Sequence, residues 1–231
     1  MKTNEFGQVI GEAVPGFTPG GLPTAASIEG RYTRLEKLNE SHKEALYAVY
    51  GPDTPAHMWT YLAGSSVANE AEWGDLFDRL LRDTSKFYYV ILDKNTQKAL
   101  GTFALMRLDT ANRVVEIGSV TYLPELQRTR MATEAQYLMA QYVFEEMGYR
   151  RYEWKCDALN EPSKRAAKRL GFTYEGRFRQ AVVYKGRTRD TDWYSMIDQE
   201  WPKLKKRFEK WLHPENFNEE GVQYHSLSQQ S

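Results

Sequence analysis

The stretch best suited to chemistry is a short loop, Glu125-Leu126-Gln127-Arg128-Thr129-Arg130-Met131-Ala132, which runs from a predicted strand into the clearest helix of the chain. A loop that opens directly into a helix presents unpaired backbone N–H groups and the positive end of the helix dipole, and both suit a pyrophosphate. Arg128 and Arg130 would add charged donors there. On these residues alone, a basic loop with no ligand is an equal reading. Other reactive side chains are less promising. Cys156, the single cysteine, alternates with Tyr152 and Trp154 along a strand, which is the setting of a buried structural thiol rather than a nucleophile. The four histidines, His42, His57, His213 and His225, are dispersed through loops, caps and tail, so no metal site is expected from them. The chain has no P-loop, G-x-G-x-x-G, H-E-x-x-H or G-x-S-x-G motif.

The elements that must position these residues alternate between strand and helix. Residues 1–30 are punctuated by Pro15, Gly16, Pro19, Gly20, Gly21 and Pro23 and read as an irregular arm that wraps a domain. Tyr32–Leu38 reads as a first strand. Ser41-x-x-Glu44 reads as a capping box before one helix, and Asn69-x-x-Glu72 caps a second. Phe87–Leu92, Ala99–Leu108 and Val114–Tyr122 are strands joined by tight turns, which suggests an antiparallel meander. Thr133–Met147 carries a helical apolar stripe stopped by Gly148. Arg151–Asp157 alternates strictly, so a half-buried strand is expected with Arg151, Glu153, Lys155 and Asp157 on its polar face. A short helix over Pro162–Leu170, a hairpin of Phe178–Tyr184 with Thr191–Ile197, and a last helix capped by Asp198 follow. The expected domain covers 31–212, and the polar stretch 213–231 reads as a mobile tail.

Composition sets the outer bounds. The chain has 231 residues, 41% hydrophobic and 27% charged, enough apolar material for one sizeable core. Its 31 basic and 31 acidic side chains cancel, so neither nucleic acid nor an anionic membrane is an expected partner. One cysteine excludes an intrachain disulfide and a multi-cysteine metal cage. No apolar run is long enough to span a bilayer, and no apolar stretch follows Lys2 as in a secretory leader; a cytoplasmic location is the expectation.

Four motifs in order carry a resemblance: Glu116-Ile117-Gly118 entering a strand, then Gln127-x-x-x-x-Ala132-Thr133-Glu134-Ala135, then Asn160-x-x-Ser163, then Arg169-Leu170-Gly171-Phe172 with Glu175-Gly176. Over roughly residues 30–197 the chain resembles the GCN5-related N-acetyltransferases (GNAT), and within them the RimJ/RimL-type branch. The resemblance implies an α/β fold whose mixed, mostly antiparallel sheet is splayed at its fourth and fifth strands, with helices on both sides. It implies acetyl-CoA in that gap, its pyrophosphate on Gln127, Arg128, Thr129, Arg130, Met131, Ala132 and Thr133, and its pantetheine along the backbone of Val120 and Tyr122. Asn160 is implied as a further cofactor contact and Ser163 as a hydrogen-bond donor to the departing sulfur. Glu116, at the entry of the strand beside the expected acetyl group, is the first candidate for the base, a solvated edge carboxylate being the competing reading, with Asp157, Glu175, Asp190 and Asp192 in reserve. Trp59 and Tyr61, in the loop between the first helices, are implied as walls of the acceptor cleft.

Two positions depart from the family pattern. Arg130 stands where the phosphate loop usually has glycine, so its guanidinium is expected to reach the phosphates instead, and Ala167 stands where many members carry a tyrosine acid. The implied activity is acetyl transfer to a primary amine, either a peptide or protein N-terminus or a small amine. No metal is required, and a homodimer is allowed. The two departures keep a non-catalytic acyl-CoA binding or sensing module open as the alternative.

Overall fold

The computed structural model describes residues 2–229. Two strands, β1 (Lys2–Thr3) and β2 (Val9–Ile10), form a separate small hairpin in the arm. The main sheet is built from β3 (Ser27–Glu29), β4 (Thr33–Lys37), β5 (Lys86–Asp93), β6 (Ala99–Asp109), β7 (Val114–Tyr122), β8 (Arg151–Asp157), β9 (Thr173–Tyr184) and β10 (Arg187–Ile197). Its order is β3-β4-β5-β6-β7-β8-β10-β9, antiparallel throughout except for the parallel pair β7–β8. This is the mixed, mostly antiparallel sheet expected. Five helices flank it: α1 (Lys43–Tyr50), α2 (Glu70–Arg82), α3 (Arg130–Gln141), α4 (Glu161–Leu170) and α5 (Trp201–Leu212). Among the described residues, no helix is long and apolar enough to cross a membrane.

Strand alternation divides the apolar side chains between two layers. Tyr89 and Ile91 of β5 join Phe103, Val115, Ile117, Tyr152 and Trp154 under α3 and α5. Val90 and Leu92 face the other way, against Leu46 and Val49 of α1 and Trp73 and Phe77 of α2. Each layer removes its apolar surface from water only because the sheet lies between them.

Three features position the site. First, β7 and β8 pair only from Val114↔Arg151 to Ile117↔Trp154, and then they part. Ser119 explains the bend: it has φ +49, and the β6–β7 register slips from Ala104↔Gly118 to Thr102↔Thr121 around it. A bulge of this kind turns a strand away from its neighbour. Second, Glu134 of α3 is buried and accepts hydrogen bonds from the amides of Arg31 (2.8 Å), Tyr32 (2.7 Å) and Thr33 (2.7 Å) and from Thr33 Oγ1 (3.0 Å). Gly30 leaves room for it, since a Cβ there would lie 2.7 Å from Glu134 Oε2. Third, the arm lies against the opposite end of α3: the amides of Thr24 and Ala25 donate to Tyr142 Oη, and Tyr149 Oη donates to Gly21 O.

Several local expectations need correction. The first cap is Asn39, not Ser41: its Oδ1 accepts from Ser41 N at 3.0 Å and starts a 3-10 turn that leads into α1. The last helix begins at Trp201 after Glu200, two residues later than an Asp198 cap implies, because Pro202 favours the first turn, where its missing N–H costs nothing. The strand β9 starts five residues earlier than expected, with Gly176 (φ +156) absorbing an irregularity that reads as a break. Helix α3 starts at Arg130 and passes into a π-helical turn over Tyr142–Glu146 before Gly148. Residues 213–229 are not a loose tail: Phe217 and Leu227 are buried in the main core, and Trp211 Nε1 donates to Gln223 Oε1. The tail's last two residues, 230 and 231, lie outside the described residues, as does Met1 of the arm.

Candidate active site

Beyond Ile117 and Trp154 the two central strands no longer pair, so the backbone edges of Gly118–Tyr122 and Lys155–Asp157 face a gap. Backbone polar groups left without a ladder need other partners. Across one mouth of the gap stands the N-terminus of α3. Thr129 caps it, its Oγ1 accepting from Ala132 N (3.2 Å) while donating to Leu126 O (2.6 Å). The amides of Arg128, Arg130 and Met131 donate to nothing among the described residues. Three free N–H groups at a helix start, beside a strand edge with open amide groups, fit the diphosphate and the two amides of a coenzyme A molecule.

The individual loop residues divide by task. Gln127 Nε2 donates to Tyr122 O, holding the loop to the end of β7, and Tyr122 Oη accepts from Gln136 Nε2 (2.7 Å). Burial pushes the Tyr122 phenol well above its ordinary value, so it stays neutral. Arg128 is exposed, with φ +63. Arg130 does not reach into the loop as expected: its guanidinium lies 4.2 Å from the Tyr32 ring centroid and 5.5 Å from that of Phe217. The two rings meet edge-on with centroids 6.4 Å apart, and the guanidinium lies over Tyr32 with Phe217 to one side, a packing contact. Met131 and Ala132 pack against the core, and Thr133 Oγ1 accepts from Arg169 Nη1 (3.0 Å), tying α4 to α3. Val120 is half-buried on the part of β7 that has left β8.

On the opposite wall, Asn160 caps α4, with its Oδ1 accepting from Ser163 N at 3.2 Å. Ser163 Oγ accepts from Trp154 Nε1 at 2.9 Å, and its own O–H is within reach of the Cys156 sulfur, so the hydroxyl proton already points to a sulfur on this wall. A hydroxyl that already accepts a hydrogen bond is polarised toward giving its own. Cys156, on the same strand face as Trp154, is buried, and burial pushes its thiol up to about 11. That is an inert thiol, as its spacing implies. Ala167 is fully buried.

Glu116 is neither exposed nor isolated. It is 6% exposed, with Oε2 2.9 Å from Lys155 Nζ and 3.3 Å from Arg107 Nε. Lys155 Nζ is also 2.8 Å from Glu153 Oε2 and 3.7 Å from the Trp193 ring centroid. The polar face of β8 is therefore buried as well, contrary to the half-buried strand expected, because β10 and the ionic side chains of β7 cover it. Burial raises the Glu116 carboxyl above its ordinary 4.5, against the pull of Lys155 and Arg107. The upward shift makes this carboxyl a better proton acceptor than an ordinary surface glutamate. Its Oε1 lies 3.4 Å from where a Cβ on Gly118 would stand, at the start of the gap.

The expected acceptor wall is half realised. Trp59 belongs to the second core, with Nε1 donating to Thr54 Oγ1 and its ring against Tyr50, so it lines no cleft. Tyr61 does cross to the site, donating to Leu159 O at 3.1 Å, just before Asn160. Two residues missed in the sequence lie beside it: Tyr184 Oη donates to Asp157 Oδ2 (2.8 Å), and Lys185 Nζ donates to Trp59 O (2.7 Å). Only the strand alternation could have flagged Lys155, and it reads as a solvated face; Asp157, a reserve candidate for the base, is held by Tyr184 and Leu159 N. Among the described residues, no three His, Cys, Asp or Glu side chains come together to hold a metal.

The family model described as "Acetyltransferase (GNAT) domain" matches residues 33–173. The chain belongs to the GNAT acetyltransferases. A crystal structure of a GCN5-related N-acetyltransferase from Brucella melitensis shares 44% identity with this GNAT chain, covering 93% of it and 98% of the other, with a TM-score of 0.90. Among curated proteins, the putative ribosomal N-acetyltransferase YdaF of Bacillus subtilis is 32% identical over 101 residues, 44% of this chain and 55% of that protein. The spermidine N(1)-acetyltransferase of Escherichia coli strain K12 is 26% identical over 169 residues, 73% of this chain and 85% of that one.

Proposed function

We propose that this GNAT chain transfers the acetyl group of acetyl-CoA directly to a primary amine, in the manner of the RimJ/RimL-type branch and in the cytoplasm. The observation that carries the reading is the parting of β7 from β8 after Ile117 and Trp154, with a free helix N-terminus at one mouth and Asn160 and Ser163 on the facing wall. The free amides of Arg128, Arg130 and Met131 would hold the diphosphate, and the open edge of β7 around Val120 and Tyr122 the pantetheine. Bound there, the thioester supplies an activated acetyl group.

The chain's own residues then have two tasks. Glu116, with its raised pKa, takes the proton of the incoming ammonium directly or through water. Ser163, with Trp154 Nε1 bonded to its Oγ, gives a hydrogen bond toward the sulfur as negative charge develops there. Tyr61 fits the acceptor side, since its phenol bridges to Leu159 O. Two measurements test the reading. Calorimetry is expected to detect acetyl-CoA but neither NAD nor ATP. Release of free CoA is expected with an amine acceptor and is expected to survive EDTA. Binding of acetyl-CoA with no transfer to any amine would instead favour a non-catalytic acyl-CoA module.

A further inference from the structure

The charges around the acceptor side of the gap indicate which amines it suits, an inference that rests on the transferase reading above. Every carboxylate on β7–β10 is engaged from within the chain. Glu116 and Glu153 are paired by Lys155, Arg107 and Arg151. Asp157 accepts from Tyr184 Oη and from Leu159 N, each at 2.8 Å. Glu175 is held by Arg151 and Ser195, Asp190 accepts from Gln180 N, and Asp192 is paired with Arg177. The spot where an incoming ammonium would find two carboxylates and an indole, between Glu116, Glu153 and Trp193, is filled by Lys155 itself.

The cations of the same region are not balanced. Arg179, Lys185, Arg187 and Arg189 form no ion pair among the described residues. Lys185 and Arg187 reach only the carbonyls of Trp59 (2.7 Å) and Thr60 (3.0 Å), and Arg189 Nε donates to Thr191 Oγ1. The guanidinium carbons of Arg187 and Arg189 lie 5.6 Å and 5.8 Å from the Tyr184 ring centroid. Tyr184 in turn touches Asp157, at the end of the strand that forms one wall of the gap. The mouth on this side thus carries four cations outside any ion pair against two carboxylates, Asp157 and Asp190, whose oxygens are taken up by neutral hydrogen-bond donors.

We propose that the acceptor is a primary amine that carries carboxylate groups, met by Arg187 and Arg189 beside Tyr184, and that polyamines are not acceptors. A polycation would have to displace Lys155 from between two carboxylates, or approach a mouth where four unpaired cations outnumber two hydrogen-bonded carboxylates. An acidic ligand meets those cations without rearrangement and can pair with a guanidinium through two oxygens.

The test measures binding to the protein saturated with CoA, which needs no turnover, alongside CoA release from acetyl-CoA. The ligands are a short peptide with acidic residues after its N-terminal serine, the same peptide with lysines in their place, free glutamate, and spermidine. The acidic peptide or glutamate is expected to bind on the order of tenfold or more tighter than the lysine peptide and spermidine. Preference for the peptide points to a protein N-terminus and preference for glutamate to a small acidic amine; either supports the proposal. The double variant Arg187→Glu, Arg189→Glu changes two side chains outside the core and is expected to abolish the preference. Spermidine or the lysine peptide binding as tightly as the acidic ligands overturns the proposal, as does a preference unchanged in the double variant. Selective acidic binding with no CoA release from any amine would leave the charge argument standing and overturn the transferase reading instead.

Discussion

Replacing Lys155 by methionine isolates the electrostatics around the proposed base. The Lys155 ammonium is 2.9 Å from Glu116 Oε2, and both side chains are 7% exposed. At an effective dielectric near 20, unit charges at that distance attract by about 6 kcal/mol. Arg107 remains at 3.3 Å, and water entering beside the methionine recovers part of the loss. A net effect of about 1.5–3 kcal/mol follows, or roughly one to two pH units. The sign is fixed by the surroundings. Burial already holds Glu116 above 4.5, and without the ammonium only Arg107 opposes burial and the repulsion of Glu153, so the carboxyl rises further. A base must be ionised to accept a proton, so the acidic limb of kcat/KM is expected to move up by the same amount. Stability follows the same direction. A carboxyl raised in the folded state favours folding fully below its unfolded value near 4.5 and loses that contribution as pH rises through the folded value. The variant is therefore expected to melt close to the parent at about pH 4 and well below it at about pH 8. Rate profiles and melting curves across this range are the assay. A superimposable acidic limb, together with a melting difference that does not change with pH, would refute the coupling of the two groups.

Other expected outcomes are simpler to read. Ser163→Ala should lower kcat by about 10²-fold and leave acetyl-CoA affinity nearly unchanged, because the hydrogen bond strengthens only as charge develops on sulfur; steady-state kinetics with calorimetry separates the two. Arg128→Ala should weaken CoA binding if the exposed guanidinium meets the phosphates. Arg130→Ala should lower Tm by losing its contacts with Tyr32 and Phe217, at about 0.5–2 kcal/mol. Glu134→Ala strands three backbone donors and should cost about 3–5 kcal/mol in urea unfolding, since the bonds it loses are charge-assisted and buried.

What the sequence discloses depends on how local the cause is. Val114–Tyr122 and Arg151–Asp157 are strands at the boundaries their alternation marks, and Asn69 caps α2 through Glu72 N as its spacing predicts. The bulge at Ser119 is different: a serine at φ +49 inside a strand carries no composition signal, yet it bends the strand at the gap. Lys155 was hidden for a related reason. Its burial depends on Trp193, thirty-eight residues later, and on Glu116, thirty-nine earlier. Trp59 reads equally as cleft wall or core, and only its contact with Tyr50, itself stacked on Trp73, decides for core. The phosphate loop was legible as a helix start, but the use of Arg130 was not, because both rings that hold it come from distant segments.

The packing of Arg130 against the Tyr32–Phe217 ring pair bears on how the protein is made. The first turn of α3 is clasped by a ring near the beginning of the chain and another near its end. During synthesis α3 can form as soon as it emerges, but its first turn lacks its second ring until residue 217 has left the ribosome. A nascent chain halted before that point would hold the whole sheet yet lack one of the two rings beside the first turn of α3. The packing around the first turn of α3 is then completed only in the final stretch of translation, and a C-terminal fusion that pulls Phe217 off the core would leave Arg130 with the Tyr32 ring alone.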